Sequence, residues 1–563
     1  MDTPTDPGMV PWPADQAARY TAAGHWRGRP LGHWMWTWAR RRGPHTAVVD
    51  GDRRISYLEL ARRADALADH LLDHGLGNGD KIVVQLPGGW KYLTLFFACQ
   101  RIGVVPVLAL MAHRERELAY FADLAGAKAL VVPDEFNDFD HQELAADVAR
   151  DGDRSLQVFV TGPGCRDGHV ALDPLMEMPD DGEGLRGKLN ALAPGSRQLA
   201  LLLLSGGTTG MSKLVPRTHD DYEYNARRSA EVSGFGPGTV YLVVLPAAHN
   251  FPLGSPGILG TLLSGGRVVF APSPRPEVAF PLIERERVTV TSLVPSIAQR
   301  WVEAAAVESY DLSCLHVVQV GGSVLAPEFA ARVGAALGCT LQQVYGMAEG
   351  LLNYTRLDDP ESVVLRTQGR PISPDDEVRI VDEFRRPVPP GTPGELQARG
   401  PYTIRGYYAA PESNAVTFTS DGWYRSGDIV RMHPTGNLVV EGRIKDVINR
   451  GGEKISATEV EAVVKALPQV AQAAAIPVPD PVLGERICVC VVLRPGGDLT
   501  LDELRREDGV AKYKIPEQLE IFTDLPLTPV GKVDKKELCI LVERRRGSRQ
   551  EIPPLGDVGV PTP

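Results

Sequence analysis

The 563-residue chain is short of cysteine, of long apolar runs and of positive charge, and each shortage narrows what it can be. Its seven cysteines, at 99, 165, 314, 339, 488, 490 and 539, are odd in number and form no Cys-x-x-Cys pair. They suggest neither a disulfide framework nor a structural zinc site, and they fit a reducing cytoplasm. Cys488-Val489-Cys490 alternates inside an apolar run and reads as two strand positions on one face. No uninterrupted apolar stretch approaches the roughly 18 residues of a membrane span. The opening Met-Asp-Thr-Pro-Thr-Asp-Pro-Gly lacks the basic and apolar regions of a signal peptide, so export by that route is not expected. With 60 Lys and Arg against 71 Asp and Glu, the net charge is −11, which argues against a nucleic-acid-binding surface. The one basic run near the end, Arg544-Arg545-Arg546, reads as a solvated tail. Neither nucleic acid nor membrane is therefore an expected partner.

What is present is an ordinary soluble composition, 43% apolar and 23% charged, in a chain too long for one core. Residues 1–30, rich in Pro, Arg and Gly, are expected to wrap over a surface. From about 45 to 350, apolar runs alternate with helical patterns. Strand-like runs are Lys81–Leu86, Val104–Leu108, Leu130–Val132, Val240–Leu245, Arg267–Phe270, Val288–Val294 and His316–Val320, and Trp90–Arg101 is helical. This alternation predicts an α/β domain with a parallel-rich sheet, its ligands held in loops at the carboxyl ends of strands. After residue 375, short strands separated by Pro and Gly predict a small β-rich subdomain. Beyond the charged segment near 443, a compact α+β unit extends to roughly 540, and the Gly- and Pro-bearing end is expected to be disordered.

Residues 204–213, Leu-Ser-Gly-Gly-Thr-Thr-Gly-Met-Ser-Lys, follow the apolar run Leu199–Leu203. A buried strand that stops at a glycine-rich loop can converge backbone N–H groups on an anion. Ser205, Thr208, Thr209 and Ser212 add hydroxyl donors and Lys213 a positive charge. The composition is that of a triphosphate cradle, although the loop fits neither the Walker pattern nor GxGxxG. A solvated Gly/Ser/Thr turn has the same composition.

Four further segments carry chemistry. Tyr345-Gly346-Met347-Ala348-Glu349 offers an aromatic face, a tight turn and a carboxylate. Tyr424-Arg425-Ser426-Gly427-Asp428 puts an acid in a turn. Gly442-Arg443-Ile444-Lys445-Asp446, followed by Asn449-Arg450-Gly451-Gly452-Glu453-Lys454-Ile455, is a dense polar block beside a glycine pair, and Pro529-Val530-Gly531-Lys532 is a turn carrying a lysine. Taken singly, these also read as exposed turns or a charged linker.

In this order the five segments resemble the adenylate-forming enzymes, which include acyl-CoA synthetases, luciferases and peptide-synthetase adenylation domains. The resemblance spans about 30 to 540. The opening Tyr20–Leu31 is similar to stand-alone aryl acid–AMP ligases that load siderophore-type carrier proteins. The resemblance implies a large N-terminal α/β domain in subdomains, 1–442, a hinge at 443–446, a small mobile α+β domain, 447–540, and a tail, 541–563. It implies two half-reactions: a carboxylate attacks the α-phosphorus of ATP to give acyl-AMP and pyrophosphate, and a thiol then displaces AMP. Both concentrate negative charge, so fixed cations and N–H donors are the expected apparatus.

By the same resemblance, Ser205, Gly206, Gly207, Thr208, Thr209, Gly210 and Lys213 close over the β- and γ-phosphates. Glu349, with Thr209, helps hold Mg²⁺, a hard ion suited to carboxylate and phosphate oxygens. Asp428 accepts from the ribose hydroxyls, with Arg443 nearby. Gly321, Gly322, Tyr345 and Gly346 line the nucleotide slot. Lys532 bridges the attacking carboxylate and the α-phosphate. Lys445 matches the hinge, and Gly451, Gly452 and Lys454 form the face used for thioester formation.

Ala247-Ala248-His249-Asn250-Phe251 bears on the substrate. Amino-acid-activating relatives carry an aspartate near here to pair with an ammonium, whereas Asn250 is neutral. An amide can bond a hydroxyl but cannot supply the charge that a buried ammonium needs. The resemblance assigns Asn250 to the ortho-hydroxyl of a 2-hydroxybenzoate, Phe251 to the ring and His249 to the wall between ATP and acid. Ser255 resembles 2,3-dihydroxybenzoate enzymes and Leu352 resembles salicylate enzymes. Both acids stay open, with a heteroaromatic acid such as 3-hydroxypicolinate beside them. No Gly-x-Asp-Ser attachment signature occurs downstream of residue 540, so a phosphopantetheinylated aryl carrier protein is expected on a separate chain. The alternatives are an aryl-CoA ligase and a non-catalytic binding protein of the same fold.

Overall fold

A computed structural model describes residues 6–150, 155–178, 182–205, 211–307, 310–322, 324–325, 327–443, 447–506, 511–526, 533 and 535–550. The chain divides into two compact units, with the boundary between the described residues Arg443 and Val447.

The first unit is mixed α/β and holds four of the sheets seen among the described residues, one of them the two-stranded hairpin Glu135–Phe136 and Phe139–Asp140. A nine-stranded sheet runs in the order Arg370–Pro371, Gly350–Tyr354, Thr340–Met347, Val317–Gly321, Val290–Leu293, Val240–Val243, Arg267–Phe270, Thr46–Asp50 and Arg53–Ser56. Its centre is parallel, from Thr46–Asp50 through to Thr340–Met347, and antiparallel strands close both edges. A seven-stranded sheet runs Leu214–Thr218, Leu199–Leu204, Val105–Leu108, Lys81–Val84, Ala129–Pro133, Gln157–Thr161 and Val170–Ala171. Buried on both faces, such strands need continuous apolar runs, which is why Leu199–Leu204 reads Leu-Ala-Leu-Leu-Leu-Leu. Each fully buried leucine contributes about 1.5–3 kcal/mol. The helix Trp90–Ile102 is buried from Tyr92 onward and stops at Gly103, which takes a left-handed conformation at φ 75°. The β-rich subdomain expected after residue 375 is a four-stranded antiparallel sheet, Glu377–Val381, Gly394–Arg399, Tyr424–Met432 and Leu438–Arg443.

The second unit is a small α+β fold. Its sheet runs Glu453–Ser456, Val447–Arg450, Gly484–Leu493 and Val470–Asp480, with Gln518–Phe522 parallel to Gly484–Leu493. Cys488 and Cys490 are both buried in one apolar cluster with Ile476 and Leu538.

One expectation is corrected here. The tail assigned to 541–563 begins inside a helix, Lys535–Gln550. Leu538 and Val542, one turn apart, are buried against the strands of the second unit and hold that helix. Arg545, read as part of a solvated tail, lays its guanidinium 4.0 Å from the centre of the Phe522 ring and donates from Nη1 to Ile521 O at 3.0 Å. Residues 551–563 lie outside the described residues.

Candidate active site

Ser205 and Lys213 form the base of the glycine-rich loop. They follow and precede the antiparallel strands Leu199–Leu204 and Leu214–Thr218. The Ser205 N–H donates to Lys213 O at 2.9 Å, and the Lys213 N–H donates to Ser205 Oγ at 3.1 Å. Gly206, Gly207, Thr208, Thr209 and Gly210 lie outside the described residues, as do Lys445 and Lys532; the side chains of Arg443 and Lys454 are also not described. The Lys213 ammonium sits 5.3 Å from the centre of the Tyr407 ring. The Tyr407 hydroxyl donates to Glu349 Oε1 at 2.8 Å. Tyr407 thus stands between the loop lysine and the expected metal carboxylate, and sequence reasoning had not singled it out. Burial, followed by the Glu349 charge, pushes its phenol well above the usual range, so it stays a donor.

Glu349 lies in the turn between Thr340–Met347 and Gly350–Tyr354, and it is 7% exposed. Gly350 has φ 125°, and a Cβ there would lie 2.4 Å from Thr403 Cα, so only glycine fits. Among the described residues no group of three or more His, Cys, Asp or Glu could hold a metal. A single carboxylate whose remaining ligands are phosphates and water suits Mg²⁺, which rarely takes an all-protein cage.

Across the strand Thr340–Met347, the Tyr345 hydroxyl donates to Asp428 Oδ2 at 2.6 Å. Asp428 is 3% exposed, and its backbone pairs with that of Arg443 in the register of the subdomain sheet. The residue expected at the adenine is therefore tied to the residue expected at the ribose. Gly321 closes the neighbouring strand Val317–Gly321; a Cβ there would lie 2.7 Å from Val344 O and 3.3 Å from Phe251 Cε1. Gly322 has φ 90°. Gly346 is packed under Leu352, its partner in the antiparallel register. These small residues let the strands that carry the residues expected at the nucleotide and at the acid pack closely.

Asn250, Phe251, Ser255 and Leu352 are all buried. His249 caps the short helix Asn250–Gly254, its Nδ1 accepting from the Phe251 N–H at 3.2 Å. Phe251 and Leu352 share an apolar cluster with Tyr20, Trp26, Tyr224 and Tyr402. Asn250 Nδ2 donates to Ser255 Oγ at 3.2 Å, and Asn250 Oδ1 accepts from the Tyr222 hydroxyl at 3.0 Å. No carboxylate hydrogen-bonds to this amide among the described residues.

Tyr222 belongs to a helix, His219–Val232, that sequence reasoning did not single out. Most of its residues are polar, yet eleven are buried. Thr218 caps it reciprocally with Asp221. Asp221 Oδ1 accepts from Arg217 Nε at 2.6 Å, and both side chains are 0% exposed. Burial raises the Asp221 carboxyl and the Arg217 charge opposes that rise. Arg217 also donates to Ala348 O at 3.1 Å and Tyr402 O at 3.3 Å, and it stacks 4.8 Å from the centre of the Tyr222 ring. One guanidinium therefore links the Glu349 turn to the helix that holds Asn250. The signal was available: Pro216-Arg217-Thr218-His219-Asp220-Asp221-Tyr222 is a polar, charged run that ends the buried strand Leu214–Thr218 and opens the helix.

In the second unit, Gly451 and Gly452, with φ 57° and 96°, form the two-residue turn of the hairpin Val447–Arg450 and Glu453–Ser456. Lys454 pairs with Asn449 across that hairpin.

Residues 35–408 match the AMP-binding enzyme family, and residues 459–532 match the AMP-binding enzyme C-terminal domain. The chain is 54% identical to a Streptomyces protein named salicylyl-CoA synthase / salicylate adenylyltransferase, over 97% of this chain and 100% of that one. It is 47% identical to a Mycobacterium tuberculosis protein named salicyl-AMP ligase / salicyl-S-ArCP synthetase, over 94% of each. Among solved structures, the apo structure of Mycobacterium smegmatis MbtA superposes with a TM-score of 0.72 at 44% identity, covering 95% of this chain and 98% of that one. Fold and family match together define an adenylate-forming ligase that binds ATP. The chain belongs to the AMP-binding enzyme family. Among the described residues no helix is long and apolar enough to cross a membrane.

Proposed function

We propose that this enzyme activates a 2-hydroxyaryl acid, salicylate or 2,3-dihydroxybenzoate, to the aryl-AMP and passes the acyl group to the phosphopantetheine thiol of a separate aryl carrier protein in siderophore or related peptide biosynthesis. The observation that carries this reading is Asn250. It is a buried neutral amide held between Tyr222 and Ser255, beside the apolar faces of Phe251 and Leu352. An ammonium-bearing acid would be left without a counter-charge there. A flat acid with a hydroxyl beside its carboxylate gains both a stacking face and an amide partner. The names of the two salicylate relatives support the same substrate class.

In this reading, Ser205, Lys213 and the loop between them neutralise the β- and γ-phosphates. Glu349, held by Tyr407, supplies a carboxylate oxygen for Mg²⁺, which when bound screens phosphate charge. Asp428, oriented by Tyr345, accepts from the ribose. Arg443 lies near the ribose or phosphates. Gly321, Gly322 and Gly346 admit the base, and His249 shapes the wall between ATP and acid. Lys532 supplies the cation that lets carboxylate and α-phosphate approach. Lys445 is the hinge, and Gly451, Gly452 and Lys454 form the face used when the thiol attacks.

The test is ATP–pyrophosphate exchange over salicylate, 2,3-dihydroxybenzoate, benzoate, 3-hydroxypicolinate, anthranilate and phenylalanine. Salicylate or its 3-hydroxy analogue should lead, with benzoate well behind. Best exchange with phenylalanine would overturn the reading. The 54% relative's name supports a second acceptor, coenzyme A. Incubating the aryl-AMP with CoA and with a phosphopantetheinylated carrier in parallel separates the two.

A further inference from the structure

A carboxamide is two-faced: turned over, it exchanges an acceptor for a pair of donors. The orientation of Asn250 therefore decides which hydrogen-bonding chemistry the acid meets. The Tyr222 hydroxyl is fully buried and, among the described residues, Asn250 Oδ1 is the one acceptor it donates to. If the amide turned over, Nδ2 would face the Tyr222 oxygen, and the phenolic proton would lose its acceptor inside a dry site. Burial pushes the Tyr222 phenol far above its ordinary range, so the proton stays on the oxygen.

The hydroxyl is itself held in place. The Arg217 guanidinium covers the Tyr222 ring at 4.8 Å. A Cβ on Gly254 would lie 2.7 Å from the Tyr222 oxygen, so the hydroxyl fills the space that glycine leaves. Asn225, one turn along the same helix, donates from Nδ2 to Gly254 O at 2.6 Å and pins that segment from a second point. With Oδ1 held, one Nδ2–H goes to Ser255 Oγ. The other is uncommitted among the described residues.

We propose that Tyr222 is a positioning residue: it locks the Asn250 amide so that an N–H, not a carbonyl, meets the substituent at position 2 of the acid. This rests on the acid-pocket reading given above. The lock makes the enzyme select an acceptor oxygen at that position and reject an amino group, which offers chiefly donors. Tyr222 touches neither the acid nor ATP in this account and acts only through Asn250.

The experiment is pyrophosphate exchange by the full-length enzyme with salicylate, benzoate and anthranilate, comparing wild type with Tyr222→Phe, Gly254→Ala and Asn250→Ala. Tyr222→Phe keeps the ring under Arg217 and removes only the hydroxyl. The salicylate-to-benzoate ratio of kcat/KM should fall about ten-fold or more, because a site built to bond an oxygen loses its discrimination with the bond. Anthranilate should gain relative to salicylate, since the freed amide can present its carbonyl. The KM for ATP should stay within about two-fold, since the change lies outside the nucleotide contacts. Gly254→Ala keeps the phenol but pushes on its hydroxyl and on the ring carbon that bears it, and it decides the matter should Tyr222→Phe fold poorly. If Tyr222→Phe and Gly254→Ala slow all three acids alike, the proposal is overturned. Asn250→Ala separates the two levels. A collapsed salicylate-to-benzoate ratio there, beside an intact one in Tyr222→Phe, removes the lock and keeps the pocket. An unchanged ratio in Asn250→Ala removes both.

Discussion

Asp376 carries a charge problem next to the proposed acid pocket. Its Oδ2 accepts from the Tyr402 hydroxyl at 2.6 Å and from the Ser373 N–H at 3.1 Å, while its buried Oδ1 has no partner among the described residues. The Tyr402 hydroxyl in turn accepts from the Leu352 N–H at 3.1 Å, so the carboxyl is one residue removed from the pocket wall. Burial pushes Asp376 up to about 7; the Tyr402 and Ser373 bonds and the Arg228 charge oppose the rise, and Asp375 adds to it. The sign follows from linkage. An acid whose folded value lies above its unfolded value near 3.9 holds its proton more tightly when folded. Its contribution to stability is complete below about pH 4 and is lost as pH rises through about 7. Asp376→Asn keeps a carbonyl for Tyr402 and removes the titration. Thermal melts from pH 5 to 8 should show the wild type losing Tm relative to Asp376→Asn as pH rises. Parallel curves for the two proteins would show that Asp376 does not titrate in this window.

The helix His219–Val232 and the strand before it organise the site through one buried ion pair. Arg217 and Asp221 are both 0% exposed, and Arg217 meets two backbone carbonyls as well. Removing one member of such a pair strands a charge in a dry interior, at a cost of about 3–5 kcal/mol. Arg217→Met should lose stability of that order in urea melts. Arg217→Lys should recover little of it, because an ammonium cannot reproduce a fork that reaches three acceptors. A loss below about 1 kcal/mol, the level of an exposed pair, would mean that water enters the site. The same helix marks where reading the sequence stopped. Strands such as Lys81–Val84, Leu199–Leu204 and Arg267–Phe270 were legible because burial on both faces demands unbroken apolar runs. The helix His219–Val232 carries no such signal, since several of its buried polar groups find their partners far away in the chain, such as Gly28, Asn250 and Ser373. Asn250, Ser255, Glu349 and Asp428 were singled out as candidates through ordered motifs and the resemblance built on them. Tyr222 and Tyr407, which hold Asn250 and Glu349, were not, because the contacts that define them exist only in the folded chain. The helix Lys535–Gln550 was misread in part because three arginines outweigh the buried Leu538 and Val542.

At the scale of the whole chain, the proposed function asks one enzyme to run two steps with opposite electrostatic needs. Adenylation brings a carboxylate to a triphosphate, so a cation must stand between two anions. Thioester formation starts after pyrophosphate has left, and it needs room for a thiol instead. A single fixed arrangement serves one of these at the expense of the other, whereas a backbone pivot serves both. The strand Leu438–Arg443 belongs to the first unit and Val447–Arg450 to the second, and only residues 444–446 join the two strands. Lys445 lies in that join. Proline there fixes φ near −65° and removes an N–H, which restricts any pivot at that position. Lys445→Pro should therefore separate the half-reactions: pyrophosphate exchange and acyl transfer from supplied aryl-AMP should diverge by about ten-fold or more, equivalent to roughly 1.4 kcal/mol. Lys532→Ala provides the reference, since removing the cation should depress exchange far more than transfer. If Lys445→Pro instead lowered both rates by one common factor, or neither, the join would be a plain linker and the two steps would share one arrangement.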